Sequence, residues 1–185
     1  MHVVDFSKST VWNCPIRGTL GLFTITGSNR LINVIRSSFN GSGREGDFSW
    51  MIRQPSHERT LFLFNDNEEE FYAHFRGGDH RCAPGGGNAT IRPFQCGPSP
   101  RAVGIPTGSY AQGPHYMGYS SLDDHVRRVL VDAFAQLDSV LATGRFDSLA
   151  FSWSDETGLG GKIFETAQPV RDHIVEQIFL TTAKH

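Results

Sequence analysis

Apolar residues along this chain fall in short runs separated by polar, glycine-rich stretches. The sharpest run is Thr60–Phe64, where Leu61, Phe62, Leu63 and Phe64 follow one another without a polar break. A continuous run of that length predicts a strand buried on both faces, as in the middle of an α/β sheet. It stops at Asn65-Asp66-Asn67, and Glu68–Phe75 then predicts a short helix with an acidic first turn. Ala102–Ile105 and Ser148–Trp153 predict two further strands. Between them Leu122, Val126, Val129, Ala133, Leu137, Val140 and Leu141 form one helical stripe. Ser121 and Asp124 resemble a capping box at its start, and Gly144 ends it. Pro169 opens a last amphipathic helix that carries Val170, Ile174 and Ile178 on one face.

The N-terminal part is rich in β-formers. Val3-Val4, Val11-Trp12 and Leu20–Thr26 predict strands, with turns near Pro15 and Gly18. Leu31, Ile32, Ile35 and Phe39 have helical spacing, so Asn29–Phe39 reads as a helix with Ser28 as its N-cap. A Gly/Ser-rich loop, Asn40–Asp47, follows, and then a strand over Phe48–Ile52. Gly77–Pro100 is dense in Gly and Pro and leaves little room for regular structure, and Gly113–Tyr119 reads as another loop.

From residue 60 onward strands and helices alternate, which is the pattern of an α/β fold with a mostly parallel sheet. With the N-terminal strands added, the expectation is a three-layer αβα domain around a mixed, mostly parallel sheet. Neither a repeat nor a linker divides it, so residues 1–185 read as one domain: N-terminal elements over 1–58 and a core over 59–183. Three polar segments follow three of the strands: Asn65–Asn67, Pro106–Tyr110 and Ser154–Gly161. In a parallel sheet these ends share one edge, where open α/β folds place their ligands.

Composition removes several alternatives. A net charge of -2 lacks the basic excess of a generic nucleic-acid binder, so duplex DNA or RNA is not expected as a partner. The longest apolar runs fall short of a membrane span, and Met1–Phe6 has no signal-peptide pattern. The three cysteines, Cys14, Cys82 and Cys96, are too scattered for a disulfide framework; reduced thiols and a cytoplasmic setting are the expectation. The composition leaves the oligomeric state open.

Glycine loops are the leading candidates for chemistry. Gly85, Gly86 and Gly87, with Asn88 and Ala89, can bring bare backbone and its N–H groups close to an anion. Pro106, Thr107, Gly108, Ser109 and Tyr110 make a donor-rich turn between a strand and a capped helix, suited to a diphosphate. Arg92 is placed to form a bidentate pair with a phosphate or a structural ion pair with a carboxylate. Asp155, just past a buried strand, suits ribose hydroxyls or an activated water. P-loop, Rossmann and nucleophile-elbow motifs are absent. His74, His80, Cys82 and Cys96 share a segment without the paired spacing of a zinc motif, so neither a metal nor a cofactor is expected. His115 and His125 read as surface or packing residues.

Three segments resemble signatures of the macrodomain family of ADP-ribose-binding modules. Gly104-Ile105-Pro106-Thr107-Gly108-Ser109-Tyr110, followed by Gly118-Tyr119, is similar to the loop that wraps the diphosphate and distal ribose. Gly85–Ala89 is similar to the glycine run on the opposite side of the diphosphate, and Phe64–Asn67 resembles the family's asparagine-bearing strand end. The resemblance implies a macrodomain-like fold that binds ADP-ribose or a related NAD-derived nucleotide, as a reader or a sequestering module. The implied ligand contacts are Gly85–Ala89, Arg92, Pro106–Tyr110 and Tyr119. A second possibility is a hydrolase of an ADP-ribosyl or phosphate-ester bond, with Asn65, Asn67 and Asp155 as its catalytic residues. A third is a structural or interaction domain whose glycine loops are tight turns.

Overall fold

A computed structural model describes residues 31–77, 82–112, 117–160 and 165–185. The strands expected over Val3–Thr26, together with Ser28, Cys14, His80 and His115, lie outside them. Within them β1 (Asn33–Ser37), β5 (Ser148–Ser154), β2 (Thr60–Asn67), β3 (Ala102–Ser109) and β4 (Met117–Gly118) lie side by side in that order. β1, β5, β2 and β3 are mutually parallel, β4 is antiparallel to β3, and β6 (Gly158–Leu159) turns back on the end of β5. The helices are α1 (Phe48–Met51), α2 (Glu68–Phe75), α3 (Asp124–Leu141) and α4 (Gln168–Thr182), with a long 3-10 segment over Gly87–Gln95. The chain is therefore an α/β protein with a mostly parallel sheet between helical layers.

The alternation of side chains along the strands builds the layers. Leu61, Leu63, Val103, Ile105, Leu149 and Phe151 point to one face and pack with α2, α3 and α4. Phe62, Phe64, Ala102 and Ala150 point to the other and meet Phe48 and Met51 of α1 and Ala89 and Ile91 of the 3-10 segment. Both faces of β2 are thus dry, which explains its unbroken apolar run. Val126, Val129, Ala133, Leu137 and Leu141 of α3, and Val170, Ile174 and Ile178 of α4, are buried as their spacing requires.

Several boundaries differ from the sequence reading. The helix expected over Asn29–Phe39 is, in its described part, the strand β1. Val34 and Ile35 are β-branched, and parallel pairing with β5 overrides a chance helical spacing. Leu31 and Phe39, the outer members of that spacing, are exposed at 82% and 65%. Phe48–Ile52 is not a strand but the short helix α1, started by Asp47, whose carboxylate accepts from the Ser49 amide. The N-cap of α3 is Asp123, accepting from the Val126 amide at 2.9 Å; Ser121 only buttresses that carboxylate. The 3-10 segment occupies part of a stretch expected to be irregular.

The largest difference concerns β3. It does not stop at Ile105 but runs to Ser109, so Pro106, Thr107, Gly108 and Ser109 are buried strand residues. Pro106 fits there because the register with β2 shifts beside it, between Asp66 and Asn67. Proline lacks the ladder donor and is found at such irregularities. Within Gly113–Tyr119, residues 113–116 lie outside the described part, and Met117–Gly118 is the strand β4.

Two of the three cysteines are not free. Cys82 and Cys96 are joined by a disulfide, with their Cα atoms 6.2 Å apart. The chain between them doubles back, Gly85 N–H donating to Ala89 O at 2.9 Å, which brings together two sulfurs whose spacing in sequence gave no sign of pairing. Among the described residues no helix is long and apolar enough to cross a membrane.

Candidate functional site

The parallel strands end together at one edge of the sheet, and an open cavity of about 940 Å³ lies there. It is within the range of small-molecule sites. Three segments form its walls. The loop after β1 supplies Ser38, Phe39 and Ser42 and leads into Asp47, Phe48 and Ser49 at the start of α1. The 3-10 segment supplies Gly87, Asn88 and Thr90. The end of β5 and the turn after it supply Ser152, Trp153, Ser154, Asp155 and Glu156.

Asn88 is the hub of this arrangement. Its Oδ1 accepts the backbone N–H of Asn65 at the end of β2, at 3.1 Å. That bond fixes which end of the carboxamide is oxygen. The other end, Nδ2, is buried and finds no acceptor among the described residues. A Cβ on Gly160 would collide with the carboxamide of Asn65, so the turn after β5 closes onto the same asparagine. Gly87 and Asn88 are the first residues of their helical segment, where backbone amides have no partner inside the helix.

Directly behind this wall Asp66 and Arg92 form a buried ion pair. Nη2 donates to Oδ1 at 2.5 Å and Nε to Oδ2 at 3.3 Å, a two-pronged contact, while Nη1 donates to Ala83 O at 3.2 Å. Burial pushes the Asp66 carboxyl above its ordinary range, against the hydrogen bond and charge of Arg92. Burial also works against the charge on Arg92, but the hydrogen bond and charge of Asp66 outweigh it and hold the guanidinium above its ordinary range. Glycine is required on both sides. A Cβ on Gly85 would stand 3.0 Å from both terminal nitrogens of Arg92, and one on Gly104 would stand 2.7 Å from Asp66 Oδ2. Gly85, read as ligand-facing, and Gly104 thus make room for a salt bridge.

The chain has no match among protein-family models, curated proteins or solved structures. The site is therefore read from its own geometry.

That geometry separates the two glycine motifs. Gly87 and Asn88 line the cavity together with Asp155, while Gly86 sits at the N-cap of the 3-10 segment and Ala89 packs in the core. Pro106–Ser109 and Tyr119 are buried and do not line it. The Tyr119 hydroxyl donates to Glu68 Oε2 at 2.9 Å, and His125 Nε2 lies 2.9 Å from the same oxygen. Asn67 is spent as the N-cap of α2, accepting from the Glu70 amide at 2.8 Å. Asp155 faces the cavity and also accepts the indole N–H of Trp153 at 3.0 Å.

The turn after β3 does hold an anion, but one of the chain's own. The Glu69 carboxylate accepts from Ser109 Oγ at 2.5 Å, from Tyr110 N at 3.1 Å and from Ala111 N at 3.3 Å. The donors expected to take a diphosphate instead tie α2 to the end of β3. Partial burial works against the Glu69 charge, but these hydrogen bonds outweigh it and hold the carboxyl below its ordinary range. Its stabilisation is therefore full above the ordinary glutamate pKa of about 4.3 and is lost as the pH falls through the depressed folded value. Glu69→Gln is expected to cost about 1 kcal/mol at pH 7, the exposure of the side chain limiting the effect. The difference from the wild type should close in urea titrations repeated down to pH 3. A difference that stays constant over that range would remove the carboxylate's charge from the account.

The residues missed in the sequence are those of the wall after β1. Had Asn33–Ser37 been read as a parallel strand, the loop from Ser38 to Asp47 would have fallen at the same sheet edge and become a candidate by topology alone.

Proposed function

We propose that the chain binds ADP-ribose or a related NAD-derived nucleotide in this cavity, as a reader or sequestering module. The observation that carries the reading is the cavity at the strand ends, large enough for a nucleotide and walled by the Gly87–Asn88 helix start on one side and Asp155 on the other. The lining suits such a ligand. Phosphate oxygens fit the Gly87–Asn88 side, where helix-start amides are donors. Sugar hydroxyls fit the Asp155 side, and Phe39, Phe48 and Trp153 offer aromatic surface to a base or sugar. The carboxylates of Asp155 and Glu156 would repel phosphate, which sets the direction of the ligand. The resemblance of Gly85–Ala89 to a macrodomain phosphate loop supports the same placement.

The test is calorimetric titration with ADP-ribose, NAD and ATP, with thermal melting alongside. A ligand at 100 times its Kd adds about 2.7 kcal/mol of stability. Asn88→Asp keeps the Oδ1 acceptor for Asn65 and replaces the donor by a negative charge. It is expected to weaken binding by at least about tenfold, or about 1.4 kcal/mol. Asp155→Asn should weaken it less. Unchanged affinity in Asn88→Asp, or no binding of any of the three nucleotides, would overturn the reading.

Hydrolysis of an ADP-ribosyl or phosphate-ester bond is the second reading, and the carboxylate of Asp155 at the cavity is the observation that favours it. Asn67 is spent as the N-cap of α2, and neither it nor Asn65 lines the cavity. Chromatography of the nucleotide after incubation separates binding from turnover.

A further inference from the structure

Away from the cavity, at the far end of the 3-10 segment, three metal-ligating side chains converge. His74 stands in the last turn of α2, Cys82 precedes the glycine run, and Cys96 caps the 3-10 segment at its C-terminus. Their ligand atoms all lie within 4.8 Å of one another, and His74 Nδ1 is 3.9 Å from Cys96 Sγ. A sulfur at about 2.3 Å and an imidazole nitrogen at about 2.0–2.1 Å on one tetrahedral zinc stand about 3.6 Å apart. The imidazole is thus almost in place, and the sulfurs need only separate from their bond. All three groups are half-buried, so they are screened yet reachable.

We propose that His74, Cys82 and Cys96 form a zinc site that opens when their disulfide is reduced. A dithiol reductant gives up two electrons and two protons to the Cys82–Cys96 bond and ends as a disulfide itself; two thiols result. Each thiol then loses its proton on binding the ion, so uptake of one zinc releases two protons. The two thiolates and the Nδ1 of a neutral imidazole supply three ligands, and solvent takes the fourth position. The imidazole distinguishes this from a plain structural disulfide, which has no use for a third ligand. The residues between the cysteines include Gly87, Asn88 and Arg92, so both states, oxidised and zinc-bound, tie down the ends of the same loop. This inference does not rest on the nucleotide reading.

The test uses the full chain with Cys14→Ser, so that the other thiol is absent. The protein is reduced with a phosphine, freed of reductant without air, and titrated with cobalt(II) and then zinc. Reduced protein is expected to take up one cobalt per chain, with thiolate-to-cobalt charge-transfer absorption and the visible bands of a tetrahedral site. One equivalent of zinc should abolish both, and oxidised protein should show neither. His74→Ala leaves the disulfide intact and is expected to shift the visible bands and lower zinc affinity roughly tenfold or more. Cys82→Ser and Cys96→Ser should each remove the charge-transfer absorption. If reduction unfolds the chain, zinc should restore its circular dichroism. The proposal is overturned by a reduced protein without thiolate–cobalt absorption, by bands indifferent to His74→Ala, or by a reduced, unfolded chain that zinc does not refold.

Discussion

Arg92→Leu is expected to lower the free energy of unfolding by about 3–5 kcal/mol, because it leaves the carboxylate of Asp66 buried without a counter-charge. Asp66 is almost wholly enclosed, and Arg92 meets both of its oxygens. Losing the arginine alone removes the partner and keeps the cost of burial. The double variant Asp66→Leu/Arg92→Leu removes both charges, and should recover most of the loss if the space can be repacked. Urea unfolding of the two single variants and the double completes the cycle. A loss below about 1 kcal/mol in Arg92→Leu would mean that the pair is solvated and that the wall behind the cavity is not built as described.

Opening the disulfide in metal-free buffer is expected to cost about 3 kcal/mol. Cys82 and Cys96 are 14 residues apart, and closing a loop of about that length removes this much chain entropy from the unfolded state. The urea midpoint should fall on adding reductant, and Cys96→Ser should sit at the lower value with or without it. Because Arg92 lies inside the same loop and donates to Ala83 O, the two effects should not add. A wild-type midpoint that reductant does not move would contradict the account.

The elements that sequence pattern located are those with a long or unambiguous period. The stripe of α3 from Val126 to Leu141, the stripe of α4 and the apolar run of β2 each bury the face that their spacing marks. Where the pattern is short, tertiary pairing decides. β1 has five residues and takes its state from β5 beside it. β3 runs through a proline and two glycines because β2 on one side and β4 on the other supply its ladder.

The site was legible to the extent that it depends on strand ends. Gly87, Asn88 and Asp155 meet at one edge because the sheet is parallel, as the order of elements implied. Side-chain pairing across the fold was not legible. Nothing local to Gly104 says that it clears space for Asp66. Glu69 looks like any acidic first-turn residue until Ser109 and Tyr110 are seen to hold it. The same holds for Asn88, whose Oδ1 ties the start of the 3-10 segment to the end of β2.

The central claim is that the Gly87–Asn88 side of the cavity takes the phosphates of a nucleotide. Nitrogen–proton correlation spectra recorded while ADP-ribose is titrated in read it directly. The side-chain amide signal of Asn88 should move, together with the backbone amides of Gly87 and Asp155, while those of Tyr110 and Ala111, held by Glu69, stay in place. Movement at Tyr110 and Ala111 with an unmoved Asn88 side chain, or no movement at all at millimolar nucleotide, would contradict it.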